Sequence, residues 1–330
     1  DNLILGNRIG TTANGSGDLG NVRHGVVLYN GVQGTEVGGG TAGEANLISG
    51  NGDRGVVIDG NGGATTINNT IAGNYIGTNF AGTSSIANTG GGIHFFGGAS
   101  NNLIGGDRSA AEGNLISGNN PGVGIHIEDS NSDGNIIRGN LLGTDVAGTA
   151  QLGNENSGVV LVEGANGNII GPDNIIAHNS APGIFLYGKG TVNNTITRNS
   201  IHDNGDRRGI EQQVGANTKL IFPSLLDFDL PAGTVAGVTC SNCTVEFFSD
   251  DGWDGAVYEG FGVADGGGAF TFEKGVALLG PQVTATATDL EGNTSPFSPP
   301  VLGTSRSLTL LQSNHLARTQ IKPRHAEDNA

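Results

Sequence analysis

The chain contains no methionine, and only two of its 330 residues are cysteine. Two cysteines cannot staple a small disulfide scaffold, so the fold must rest on a packed core. There are 10 prolines against 60 glycines, and glycine does not recur at every third position, which excludes collagen. Aromatic residues make up only 5%. No apolar run approaches the ~18 residues of a membrane-spanning helix. Positive charge is scarce: Lys and Arg total 15 against 31 Asp and Glu, a formal net charge of −16. Nucleic acid is thereby disfavoured, because its phosphates require basic patches. Polyanionic glycans are disfavoured too, unless a divalent cation bridges the like charges. The chain opens inside a repeat phrase, Asn2-Leu3-Ile4-Leu5-Gly6-Asn7. It therefore reads as a processed or excised piece of a longer protein, with any signal peptide already removed.

What remains abundant is glycine, asparagine and short apolar runs. Gly and Asn sit low on the helix scale. The 35% hydrophobic content suffices for a sizeable core, and its regular spacing argues against disorder. One phrase, an Asn, an apolar pair, small or polar residues and a second Asn, stands at 2–7, 46–51, 69–74, 114–119, 135–140, 174–179 and 194–199. A second phrase, Gly followed by alternating apolar residues, begins at Gly25, Gly55, Gly92, Gly124, Gly158, Gly183 and Gly209. Ile/Leu-Gly-Thr phrases at 9–11, 76–78 and 142–144 add a period of 67 and 66 residues. Runs of three to five apolar residues between Gly and Asn are too short for helices and suit strands bounded by turns. Stacked units of this kind predict a solenoid of three parallel sheets with about seven to eight coils. Asparagine suits its corners, because it tolerates left-handed backbone and can hydrogen-bond to its equivalent on the next coil.

These phrases resemble the right-handed parallel β-helix repeat proteins, whose repeats recur in carbohydrate-binding and sugar-cleaving proteins. The resemblance covers about residues 2–214. It implies the fold strongly and an activity weakly, since that family hosts lyases, hydrolases, epimerases and adhesins. The paired-aspartate and Asp-Pro-His phrases of some catalytic members are missing from this sequence.

Period-2 alternation assigns the side chains of the glycine phrase. Residues one and three after each glycine are almost all aliphatic and point inward. Residues two and four after it point outward. The outward columns carry four aromatics, Tyr29, Phe96, Phe185 and Tyr187, with Val27, Val57, Val160 and Val162 expected to be exposed beside them. Asp59, His94, His126 and Glu128 lie among these on three consecutive coils. Aromatic faces attract the C–H groups of a sugar ring, so the strip is a candidate polysaccharide surface. The other reading has loops, such as 79–91 and 145–157, covering the strip as a second small core. Asp59 and Glu128, two coils and ~9.6 Å apart, come near the ~6.5–9.5 Å that suits an inverting glycosidase. His94 between them would tune either carboxyl, and His126 could pair with it. No cofactor is required by this scheme. Glu128, Asp129 and Asp133 follow an alternating oxygen pattern that can hold Ca²⁺, although the distal Glu of an EF-hand is missing. No third ligand beside His94 and His126 is evident for zinc.

Residues 215–303 alternate as strands at 234–239, 244–249, 256–263, 269–273 and 282–288, a small β-sandwich pattern. The stretch at 283–298 resembles immunoglobulin-like modules that follow β-helices in secreted bacterial proteins. Cys240 and Cys243 lie in a turn between two strands, where a local disulfide is preferred over free thiols or a metal. The segment 304–330 carries 4 basic and 2 acidic side chains against 11 and 29 in the rest, and reads as a flexible basic tail. The whole is consistent with a secreted or cell-surface bacterial protein. It would bind, and in one version hydrolyse, a polysaccharide, a lyase being the weaker version. The alternative is a structural, filament-forming or adhesive protein that assembles through its helix ends or basic tail.

Overall fold

The computed structural model describes residues 2–304 except 42, 63–64 and 206–207. The chain is nearly all β. Its first part winds through three parallel sheets of seven strands each, with every strand paired to its equivalent one coil away. Sheet I runs from Leu3–Ile4 to Thr195–Ile196 and sheet II from Arg8–Ile9 to Ser200–His202. Sheet III contains the glycine phrases: Val26–Tyr29, Arg54–Asp59, Gly91–Phe96, Val123–Ile127, Val159–Leu161, Ile184–Tyr187 and Ile210–Gln213. The expected parallel solenoid is therefore present.

Three columns of aliphatic side chains fill the tube. Sheet I contributes Val37, Ile71, Ile104, Ile137 and Ile170, and sheet II contributes Ile48, Ile76, Ile116, Leu142 and Ile176, all fully buried. Sheet III supplies its two inward columns, from Val26 and Leu28 to Ile184 and Leu186. Branched residues dominate because they fit a pleated surface and repeat at the same height on each coil. Each fully buried Ile contributes about 1.5–3 kcal/mol.

The corners between the sheets are buried yet bend the backbone, so their polar groups need internal partners. Stacked asparagines provide them. One ladder runs Asn69–Asn102–Asn135–Asn168–Asn194, with Nδ2 donating to the next Oδ1 at 3.0 to 3.1 Å. A second runs from Asn7 through Asn46, Asn74, Asn114, Asn140 and Asn174 to Asn199. A third runs from Asn21 through Asn51, Asn88, Asn119, Asn154 and Asn179 to Asn204. The same Oδ1 also accepts the backbone N–H of the preceding corner, as Asn114 does from Asn74 at 3.0 Å. At Gly77 (φ +91°) a Cβ would lie 2.3 Å from Asn119 Oδ1 and 2.4 Å from Ser117 O, so the Ile-Gly-Thr phrase requires its glycine.

The longer period has a structural source. Insertions leave alternate coils at alternate corners. After sheet II, hairpins closed by Thr11–Asp18, Thr78–Ser85 and Thr144–Gln151 bridges leave the first, third and fifth coils. Their tips stack, with Phe80 N donating to Gly15 O at 3.1 Å and Val146 N to Gly82 O at 3.0 Å. After sheet I, loops through Thr41 and through the short turn Arg108–Ala110 leave the second and fourth coils.

Beyond Gln213 the chain forms two antiparallel sheets, one of three strands and one of four. The five expected strands are present, and Ser224–Asp229 and Val301–Leu302 join them. Phe247, Phe270 and Phe272 centre their core, Phe247 stacking on Phe272 at 4.4 Å. A disulfide joins Cys240 and Cys243. This unit closes the last coil. Phe297 packs against the solenoid core, and the Ile201 and Gly255 backbones pair. The Glu246 carboxylate accepts from Thr197 Oγ1 at 2.6 Å and Arg198 N at 3.1 Å. The C-terminal end of the solenoid is thus covered by this unit. Apart from Thr304, the basic tail lies outside the described residues.

Two substitutions test this architecture. Ile127→Asp buries an unpaired carboxylate in the tube and should unfold several coils together, seen as a lower, broader circular dichroism melt. An unchanged melt would reverse the inward assignment. Asn114→Ala leaves the buried Asn74 N–H without its acceptor, at about 1–3 kcal/mol, and removes one of the acceptors of Asn74 Nδ2, which keeps Val37 O and Ala72 O. The variant should melt well below the parent.

Candidate functional site

The outward face of sheet III is the candidate surface. Its two outward columns align across the coils, with Val57, His94, His126 and Val160 in one row. The hairpins expected to cover this face fold instead onto sheet II. Gly15 lies against Leu47, Arg8 and Phe80, and Gly82 against Leu115, Tyr75 and Val146. The reason is local. Phe80 and Val146 settle on the apolar outward residues of the strand that immediately precedes them, and Arg8 stacks over Phe80 at 4.1 Å. Reaching sheet III would mean crossing an asparagine corner.

The strip is nevertheless less exposed than the alternation predicts. Tyr29, Val27 and Tyr187 are 48%, 49% and 44% exposed, whereas Val57 and Val160 are buried. Coils about 4.8 Å apart wall each outward side chain between its two neighbours, so only the ends of the strip and its longest side chains reach solvent. Phe96 and Phe185 are half-buried; Phe96 packs on His94 at 5.0 Å and Phe185 on Tyr187 at 6.3 Å.

At the centre the structure brings three candidates together. The imidazoles of His94 and His126 stack at 4.8 Å, nearly parallel at 10°. Glu128 follows His126 by two residues on the same face and turns its carboxylate back onto both. Oε1 is 3.1 Å from His94 Nε2 and Oε2 is 3.6 Å from His126 Nε2. His94 is buried, and its Nε2 makes no hydrogen bond, because Glu128 lies within ion-pair range but off the hydrogen-bond direction. Among the described residues this is the one group of three or more His, Cys, Asp or Glu with converging ligand atoms. The missing partner of the histidine pair is therefore Glu128. An outward residue two positions from His126 was the available signal, but Glu128 had been assigned to other roles.

Asp59 does not join the group. Phe96 stands between it and Glu128 in register, and Asp59 Oδ1 accepts the Asn61 N–H at 2.8 Å. Asp129 Oδ2 accepts the Gly97 N–H at 2.9 Å, and the converging group among the described residues joins Glu128 to the two histidines rather than to Asp129 and Asp133.

Electrostatics favour neutral imidazoles. Burial first, then the Arg54 guanidinium and the stacked His126, push His94 down to about 3, with His24 adding to the effect. Burial and Arg54 push His126 down to about 4. Glu128 is itself raised, by burial and then by Asp129 and Glu163, against the pull of Arg54. Arg54 is anchored by Asp53 at 2.6 Å. The group can hold a proton on Glu128 or present nitrogen and oxygen lone pairs to a ligand.

A second groove, about 560 Å³, lies on sheet II between the 146–147 tip and the 108–111 turn. Tyr75, Leu115, Leu141 and Ile175 line it, and Arg108 is its one charged side chain. It was not foreseen, because it depends on where the insertions fold. No known protein family and no curated protein matches this chain.

The histidines predict a pH dependence. The unfolded chain protonates them near the ordinary 6.5, and the folded chain only near 3 and 4. Between those limits the unfolded state binds more protons, so stability falls as pH drops. Raised acids slope the other way: Glu128, and Asp254 at the junction, lifted to about 6 by burial, lose stability as pH rises. The readout is therefore a difference. In metal-free buffer the parent should lose more stability than His94→Gln/His126→Gln between about pH 7 and about pH 4.5, by a few kcal/mol. Parallel curves would mean that the imidazoles are protonated in the fold.

Proposed function

We propose that the chain acts outside the cell and binds a neutral or weakly charged polysaccharide along the outward face of sheet III. The observation that carries this reading is the uncovered strip itself. Tyr29 and Tyr187 stand exposed in one outward row, five coil steps or about 24 Å apart, with the His94–His126–Glu128 group between them. An extended glycan can stack on the rings at both ends and hydrogen-bond in the middle. The acidic surface disfavours a polyanion. The C-terminal sandwich, in this reading of the immunoglobulin-like kind, caps and spaces the binding face.

Binding alone is the better-supported version. An inverting hydrolase needs two cooperating carboxyls across the scissile bond. Glu128 is placed to donate a proton, but Asp59 is occupied by its own turn.

Glycan-array screening followed by titration tests the reading. Tyr187→Ala and Tyr29→Ala should each weaken binding, by about 0.5–1.5 kcal/mol or more, with unchanged melting, because both rings point away from the core. Loss of binding on Tyr75→Ala alone would move the ligand to the sheet II groove. Sugar release that disappears with Glu128→Gln would add hydrolysis. No binding to any neutral glycan would refute the proposal.

A further inference from the structure

We infer that His94, His126 and Glu128 form a binding site for a divalent transition-metal ion of the Zn²⁺ class on the face of sheet III. Two imidazole nitrogens and a carboxylate, with no thiolate, make up one of the donor sets that hold zinc with three protein ligands and an open fourth position. Metal–ligand bonds of about 2.0–2.1 Å in a tetrahedron place donor atoms about 3.4 Å apart. His94 Nε2 lies 3.1 Å from Glu128 Oε1 and His126 Nε2 3.6 Å from Oε2, each close to that spacing. All three donors lie within 4.8 Å of one another, so tilting the stacked rings by up to about 1.4 Å closes the set.

The independent observation is the orphaned His94 Nε2. A buried imidazole nitrogen with no hydrogen-bond partner costs stability, and this one lies 3.1 Å from the Glu128 carboxylate without hydrogen-bonding to it. A metal ion would satisfy it, with one Glu128 oxygen as the third ligand. The surrounding charge permits a cation. Arg54 is paired with Asp53, and Asp129 and Glu163 add negative charge beside Glu128. Ca²⁺ fits poorly, since it takes six to eight oxygens and here meets two nitrogens. The fourth position opens toward solvent, because His126 and Glu128 are partly exposed while His94 forms the floor.

The site does not depend on sugar binding, and its test uses metal alone. The full chain, freed of metal by a chelator, is titrated with ZnCl₂ by calorimetry and its bound zinc is counted after dialysis. We expect one Zn²⁺ at this site and a rise in melting temperature with added zinc. Glu128→Gln keeps the shape and should weaken that binding by at least about tenfold and abolish the rise. His126→Gln should do the same. His202→Gln, whose ring pairs with Asp203 at the far end of the solenoid, should bind zinc at this site like the parent. Zinc binding that survives both Glu128→Gln and His126→Gln, or is lost only with His202→Gln, overturns the assignment. So does a parent chain that retains no zinc.

Discussion

The buried corner is the constraint on which the solenoid rests. A coil closes only by bending the chain three times, and each bend takes backbone N–H and C=O groups out of both water and the sheet ladders. The Oδ1 of one asparagine meets this need for the coil before it, taking the backbone N–H and the Nδ2 of the preceding corner together, as Asn114 does for Asn74. Its own Nδ2 reaches on to Asn140 and back to Ile71 O. Aspartate could not replace it, since the ladder needs a donor and an acceptor on one side chain. Fixed corners hold the equivalent residue of each coil at the same height. That is why the isoleucines form continuous columns and why the outward rows of sheet III are in register.

Register is what converts a sequence pattern into a site. His94 and His126 are separated by 32 positions, yet they stack because their glycines begin equivalent strands. The alternation after each glycine was legible without coordinates, and the inward columns follow it from Val26 to Ile184. The asparagine ladders were legible in part: the phrases at 69–74, 135–140 and 194–199 hold members of the first and second ladders, and those at 46–51, 114–119 and 174–179 hold members of the second and third. The intervening rungs of the third were not. Asn88 and Asn154 stand alone after inserted hairpins, with no neighbouring repeat to mark them. The inserted hairpins themselves were visible as extra length but not as direction. Which face they cover depends on Phe80 and Val146 finding the apolar row of sheet II, a tertiary preference with no local signal. Exposure was misjudged for the same kind of reason: Val57 and Val160 point outward but are buried by their coil neighbours.

The two parts of the chain solve the end problem asymmetrically. A solenoid ends in an open column of apolar side chains and a ladder with no next rung. At the C-terminal end both are met by the sandwich. Phe297 covers the column, and Asn217 continues the first ladder, taking the Asn194 N–H at 3.1 Å while donating to Thr294 O. Glu246 and Asp254 fix the docking by accepting backbone N–H groups of the last coil. Buried carboxylates that accept only one or two hydrogen bonds remain raised in pKa, so this junction and the histidine face respond to acid with opposite sign.

The centre of the sheet III strip is where local stability and local chemistry part. Its row is valine on either side, with Val57 before the histidines and Val160 after them. A third and a fourth aliphatic residue would continue the row with no polar group to satisfy, and the neighbouring coils show that the fold accommodates them. The chain instead places two imidazoles there, one of them buried with an unbonded nitrogen, and turns a carboxyl with a raised pKa onto the pair. Desolvating three polar groups without completing their hydrogen bonds opposes folding. Packing therefore does not account for these residues, and neither does the repeat, since no other coil carries them. What the arrangement does supply is three ligand-type side chains gathered within 4.8 Å of one another on an otherwise apolar strip. That geometry is useful to a ligand and costly to the empty fold, and sites with this imbalance are where function is to be sought first.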